Sequence, residues 1–244
     1  QYLKYLGGVV QGNLGTTFQG LDVAQELGKR FFVTAKLALI ALAFEFVVGV
    51  LAGILAGIRK GGFVDNLVLL STLAVIAIPS FVLGSVSQTF FGVKLDLFPV
   101  TVSSQATFYE LLLPGLVLGS LSLAYVARLT RTSLIENLRA DYVRTATAKG
   151  LTRNRVIGVH TLRNSLIPVV TFAGADFGAL LGGAIVTEAI FNINGVGGFI
   201  AQAIRTRDGV AVVGSVTILV IVYLLMNLLV DILYGVLDPR ISND

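Results

Sequence analysis

The sequence has 244 residues, of which 55% are hydrophobic and only 13% charged, with no cysteine and no tryptophan. A soluble domain carries about a quarter charged residues, so the composition excludes an ordinary soluble enzyme and makes lipid the main solvent. The 18 Lys and Arg against 14 Asp and Glu give a net charge of +4; in a membrane chain such cations mark the cytoplasmic side rather than a nucleic-acid site, and the missing cysteines exclude disulfides and thiolate chemistry.

Residues 1–30, which open at Gln1 rather than Met, contain neither a signal-peptide pattern nor a spanning run. They read as an outer segment of a longer protein. Beyond them five apolar runs, 31–58, 66–91, 111–129, 166–191 and 210–237, each reach the roughly 20 residues that cross a hydrocarbon core of about 30 Å. Backbone polar groups cannot go unpaired in lipid, and the runs lack the alternation of a barrel, so they are predicted as helices. Glycines recur every fourth residue at Gly49, Gly53 and Gly57 and again at Gly174, Gly178 and Gly182, a spacing that lets helices approach closely. Pro79 is expected to bend the second run.

The segment from Arg128 to Arg163 holds eight cations and only two acids, Glu136 and Asp141. The positive-inside rule places it in the cytoplasm. Counting spans outward puts Arg59, Lys60 and the C-terminal LDPRISND on the same side, with 1–30, 92–110 and 192–209 outside. Within the loop 130–165, Asp141 is expected to cap a short helix over Tyr142 to Lys149, with Gly150 in the left-handed position after it and Leu151 following. Thr152 is expected to cap a second helix that runs into the next span. Thr145, Ala146, Thr147 and Ala148 offer a small face, and Tyr142, Arg144 and Lys149 offer anchors. A helix this short needs something to lie against. The plainer alternative is a basic loop that only obeys the topology rule.

DYVRTATAKGL followed by HTLRNSLIPVV resembles the cytoplasmic EAA loop of the membrane-spanning permeases of bacterial ABC importers, in the version found in the dipeptide, oligopeptide and nickel branch. Arg144, Thr145 and Ala146 take the EAA positions and Gly150 the glycine, while Leu162 and Arg163 stand where many importers have Leu-Pro. GNLGTTF, TEAIFNINGVGG and NLLVDILYGVLDPRI are similar to that branch as well. The resemblance implies an all-α polytopic membrane protein of the type I importer fold, with 31–244 as its transmembrane domain, the N-terminus inside, and a sixth span before Gln1. It implies a second homologous permease, two ATPase subunits that carry ATP and Mg, an extracytoplasmic substrate-binding protein, and a place in the bacterial cytoplasmic membrane. On it, Asp141, Tyr142, Arg144, Thr145, Ala146, Lys149, Gly150 and Leu151 form the ATPase-coupling surface.

Lys36, Glu45, Asp176, Glu188 and Asp231 lie in or near apolar runs, where ionised groups are costly and face a cavity or a partner. Asp176, Glu188 and Asn192 are candidates for the translocation path or its gate; structural pairing is the alternative for each charge. No G-x-x-x-x-G-K-[ST] loop is present, so ATP splitting belongs to other chains. His160, the only histidine, sits in the basic loop, and neither H-E-x-x-H nor G-x-S-x-G occurs. The sequence thus predicts a permease for peptides or a similar solute, binding no cofactor itself, against the alternative of an ion-driven transporter or channel working through Asp176, Glu188 or Asp231.

Overall fold

The computed structural model describes residues 2–237. The C-terminal residues 238–244 and the Asp231 side chain lie outside the described residues. Among those described, the helices in chain order are α1 (Tyr2–Val10), α2 (Val23–Ile58), α3 (Phe63–Ala77), α4 (Ser80–Ser87), α5 (Phe108–Asn137), α6 (Asp141–Ala148), α7 (Arg153–Arg155), α8 (Leu162–Ser165), α9 (Ile167–Phe191), α10 (Val196–Arg205) and α11 (Gly209–Leu237). Two π-helical turns, Gln88–Lys94 and Val156–Thr161, continue α4 and join α7 to α8. The five apolar runs are helical, the second with a break at Ile78 and Pro79.

Helix α2 begins at Val23, eight residues before the apolar run expected to open the transmembrane domain at residue 31. The start signal lies in polar residues: the Asp22 carboxylate accepts the Gln25 N–H at 2.9 Å, and Glu26 pairs with Lys29 at 3.0 Å and Arg30 at 2.9 Å. At about 1.5 Å per residue, its 36 residues exceed the hydrocarbon thickness by several turns. Helix α5 starts on a capping box, in which the Thr107 N–H donates to Glu110 Oε2 at 2.8 Å.

The second run departs from a single bent span. Ile78 is extended at φ −88°, ψ 123°, and Pro79 opens a new helix, so α3 and the α4 segment meet at 100°. Proline pushes its predecessor out of the helical region and lacks the N–H that would continue the ladder. With 15 residues, α3 alone reaches about 22 Å, short of a bilayer core. The far segment is pinned by Gln88, whose Nε2 donates to the carbonyls of Val100 at 2.7 Å and Ile190 at 3.1 Å.

The bundle is organised on α2 and α5, which run parallel with interlocking small residues. Gly49, Gly53 and Gly57 of α2 abut Val126, Ala127 with Thr130, and Leu134 of α5, while Gly115 and Gly119 of α5 abut Ile40 and Ala41 of α2. A Cβ at Gly53 would stand 2.5 Å from the Ala127 carbonyl oxygen, and one at Gly119 2.5 Å from that of Ala41. Helix α9 packs against this pair and against α11, where Gly174 and Gly178 receive Val230 and Tyr223. Gly182, expected in the same stripe, touches nothing there. The short amphipathic α10 turns back at 78° from the end of α9 and buries Val196, Phe199, Ile200 and Ala203 against Leu14, Val23 and Leu27. The segment 192–209, expected only to lie outside, thus contains a helix.

Because the Gly119 contact is backbone against backbone, Gly119→Val is expected to destabilise the fold by about 1–3 kcal/mol, the usual scale of overpacking. Thermal unfolding in detergent checks this, with Gly182→Ala expected within about 0.5 kcal/mol of the wild type as a surface-like change.

Candidate functional site

At the basic end of the bundle, α6 and the turn after it form a self-contained hairpin. Gly150 has φ +78°, a conformation open to glycine at little cost. The Leu151 N–H bonds the Ala146 carbonyl at 3.3 Å and the Gly150 N–H bonds that of Thr147 at 3.0 Å, the paired bonds of a Schellman motif. Its hydrophobic contact is present too: Val143, Ala146 and Leu151 cluster with Val156.

The expected caps are corrected in two places. The N-cap is Ala140 rather than Asp141, whose carboxylate stays exposed in the first turn and reaches Arg144 at 3.4 Å. Thr152 occupies the N-cap position of the following helix by backbone alone, with no side-chain bond. Ala146, expected on the outward small face, is buried inside the hairpin, and Leu151 is half-buried against it. Exposed on the outer face are Asp141, Tyr142, Arg144, Thr145, Thr147, Ala148, Lys149 and Gly150. The Thr145 and Thr147 hydroxyls bond the carbonyls four residues back, at 3.0 and 2.9 Å, so each is satisfied within the helix.

This hairpin is tied to the bundle on both sides. The Tyr142 hydroxyl donates to Asn137 Oδ1 at 2.6 Å, at the last residue of α5. Val156 leads into the π turn and thence through α8 to α9. Beneath it, Arg131 of α5 grips Asp65 of α3 in a two-pronged pair at 2.5 and 2.7 Å, and Asp65 Oδ2 also accepts the Gly61 N–H at 2.8 Å. Arg131, counted in the sequence among the topological cations, therefore has a buried partner. His160 lies half-buried in the π turn.

At the opposite end, Glu188 is fully buried and joins three helices. Its Oε1 accepts the Thr34 hydroxyl of α2 at 2.6 Å, and its Oε2 accepts the Gly198 N–H of α10 at 2.7 Å. The Val196 N–H in turn donates to Thr34 Oγ1 at 2.8 Å. A carboxylate here meets the positive end of α10. Asn192, left-handed at φ 51°, ends α9, and beside it a polar cleft of about 290 Å³ is lined by Glu188, Asn192, Asn194, Gln202 and Arg205 together with Ser103. Glu188 and Asn192 are thus brought together; Asp176 is not. It lies farther down α9, facing Glu45 of α2 within the bundle. Lys36 sits over the Phe32 ring at 4.7 Å.

Thr34 and α10 were missed in the sequence reading. The signal for α10 was present, in the i, i+3, i+4, i+7 spacing of Val196, Phe199, Ile200 and Ala203.

A bundle of membrane-length helices with a capped, exposed helix hairpin at its basic end has the architecture of a polytopic membrane protein. Residues 49–243 match the family described as binding-protein-dependent transport system inner membrane component, and the chain belongs to that family. Over its whole length it is 39% identical to the di/tripeptide transport system permease DppB of Pseudomonas aeruginosa (strain UCBPP-PA14), and 38% identical to the dipeptide permease DppB of Escherichia coli (strain K12), spanning 80% of each. The glutathione transport system permease GsiC of Pectobacterium atrosepticum is 37% identical over 99% of this chain and 78% of its own. The fold superposes on the inward-facing MetNI methionine ABC transporter with a TM-score of 0.72 at 18% identity, covering 88% of this chain and 97% of that one. The chain is accordingly a permease subunit of an ABC importer, and the ion-driven alternative falls away.

Glu188→Ala would strip the acceptor from the Thr34 hydroxyl and the Gly198 N–H, at about 1–3 kcal/mol for each buried group left unpaired. Hydrogen exchange is expected to accelerate at the first turn of α10 while α3 keeps wild-type protection, which mass spectrometry of the variant checks.

Proposed function

We propose that the chain is one permease half of an ATP-driven importer of di- or oligopeptides, placed in the bacterial cytoplasmic membrane with the 130–165 loop inside and residues 1–30 outside. The full-length similarity to di/tripeptide and dipeptide permeases carries the choice of cargo. The reading gives the chain four partners: a second, homologous permease, two ATPase subunits that bind ATP and Mg, and a substrate-binding protein on the outer side. It also assigns 31–244 as the transmembrane domain.

The coupling surface in this reading is the outer face of α6 with its Schellman turn: Asp141, Tyr142, Arg144, Thr145, Lys149 and Gly150 meet the ATPase, while Ala146 and Leu151 stiffen the helix from behind. A helix of eight residues is unstable by itself. Its internal cluster and the Tyr142 to Asn137 bond support its use as a rigid lever, because displacement of α6 is passed to α5 on one side and, through the π turn, to α9 on the other. Transport then requires α6 to make different contacts with the ATPase in its nucleotide-bound and nucleotide-free states. At the other end, the cleft beside Asn192 and Glu188 is the outer mouth of the path, with Asp176 deeper along the same helix.

Gly150→Val places a β-branched residue at φ +78°, costing about 1–2 kcal/mol. In proteoliposomes containing the whole transporter, dipeptide uptake is expected to fall by about tenfold or more, a loss of roughly 1.4 kcal/mol in coupling, while ATP hydrolysis persists. Uptake and hydrolysis that stay coupled at wild-type ratio refute the assignment of α6.

A further inference from the structure

Three side chains from three helices meet at one level inside the bundle. Glu45 of α2 is fully buried, and neither of its carboxylate oxygens has a hydrogen-bond partner. Asp176 of α9 and Ser122 of α5 lie beside it at the same level, with no hydrogen bond formed among the three, and Asp176 Oδ2 is likewise buried without a partner. This layer separates two apolar clusters drawn from the same helices. One holds Ala41, Leu118 and Leu180; the other holds Val50, Val126 and Val169.

Among the described residues no ion pair reaches the layer. Asp176 is the one charged group acting on Glu45 among the described residues. On the packed helices, Lys36 of α2 is occupied by the Phe32 ring, and Arg128 of α5 bonds the Ala124 carbonyl at 3.3 Å. Asp65 of α3 is held by Arg131, Glu188 of α9 by Thr34 and Gly198, and Arg205 of α10 lines the outer cleft. Tyr223 of α11 packs on Gly178. Nor does any third ligating side chain join the pair to hold a metal ion among the described residues.

Two facing carboxylates in a low-dielectric interior repel each other, and a buried charge without donors is costly. Both difficulties are removed by a single ligand, the smallest cation. We propose that Glu45 and Asp176 form an intramembrane proton-binding site, in which one proton taken from water sits between the two carboxyls. The protonated carboxyl donates its O–H to a carboxylate oxygen of the other, and the Ser122 hydroxyl supplies a second donor. With the proton in place, α2 and α9 are joined by a hydrogen bond across their apolar seam. Without it, the same two groups repel. This inference concerns the helix seam and stands apart from the identity of the cargo.

Infrared spectroscopy of the intact transporter in lipid nanodiscs tests it, in the absence of peptide and at neutral pH. The carbonyl stretch of a protonated carboxylic acid is expected, shifted by deuteration, abolished in Glu45→Gln and in Asp176→Asn, and unchanged in the exposed control Glu136→Gln. Absence of that band in the wild type, as a site reserved for the ammonium group of a cargo would require, overturns the proposal; so does a band that survives both substitutions. Should the single variants fail to assemble, the double variant Glu45→Gln with Asp176→Asn carries its own amide donors. It is expected to lack the band while its amides keep the α2 to α9 seam closed, so that hydrogen exchange along α9 stays within about twofold of the wild type. A double variant that retains the band counts against the site.

Discussion

Van der Waals contact between the backbones of α2 and α5, made where Gly53 meets Ala127 and Gly119 meets Ala41, sets the positions of the other helices. Lipid supplies no hydrophobic drive for two apolar helices to associate, so their attraction comes from packing at close range. Glycine on α2 toward the basic end and on α5 toward the opposite end gives each helix a groove for the other's larger residues. The two then form a single parallel unit, and the chain between them has to return across the bundle. It does so with a break at Pro79, which leaves α3 against α5 near the basic end and α4 against α5 and α9 farther along.

The charges inside the apolar runs follow from the same geometry. Once α2 and α5 are fixed, each interior charge has a defined set of neighbours, and most find a compensating group. Asp65 receives a two-pronged guanidinium, Glu188 receives the amide end of a helix and a hydroxyl, and Lys36 rests on an aromatic face. These arrangements keep the number of uncompensated charges low, which is the condition for a stable bundle in lipid. Glu45 and Asp176 are the exception among the described residues: both hold buried carboxylate oxygens without a hydrogen-bond partner, and the charged group beside Glu45 is Asp176. A like-signed pair that persists in such an interior has to be relieved by a ligand, and a proton is the one that needs no further room.

Local signals explain how much of this was readable in advance. Apolar length gave the helices, and the sequence KGL gave the left-handed turn at Gly150, because both depend on a few consecutive residues. The start of α2 was read late because its signal is polar, an Asp22 cap and a Glu26 to Arg30 pair outside the apolar run. The N-cap at Ala140 shows a similar limit, since Asp141 suits either the cap or the first turn. What could not be read were partnerships across helices. Thr34 and Glu188 are 154 positions apart, and Asp65 and Arg131 are 66 apart; their meeting depends on the rotation and vertical register of packed helices. Glu45 and Asp176 were each visible as costly charges, yet their shared level follows from the α2 to α5 contact and the seating of α9 upon it.

A load placed on α6 has few places to go. The Schellman turn and the Val143, Ala146 and Val156 cluster make the hairpin stiff, and Tyr142 fixes one edge of it to the end of α5. Helix α5 is locked to α2 by contacts between backbones that have no slack. Helix α9, by contrast, meets that pair chiefly through apolar side chains, and it connects to the hairpin through a π turn, where backbone bonding is already altered. Relative motion is therefore easiest along the seam between α9 and the α2 and α5 unit. The proton-bridged carboxyls lie in that seam, between its two apolar clusters, so their hydrogen bond joins the Thr34 to Glu188 bond at the outer end in selecting one register of α9 over its neighbours. Apolar packing alone tolerates small slides; a bond with defined donor and acceptor does not, and this gives the acidic layer a mechanical role that its charge alone would not suggest.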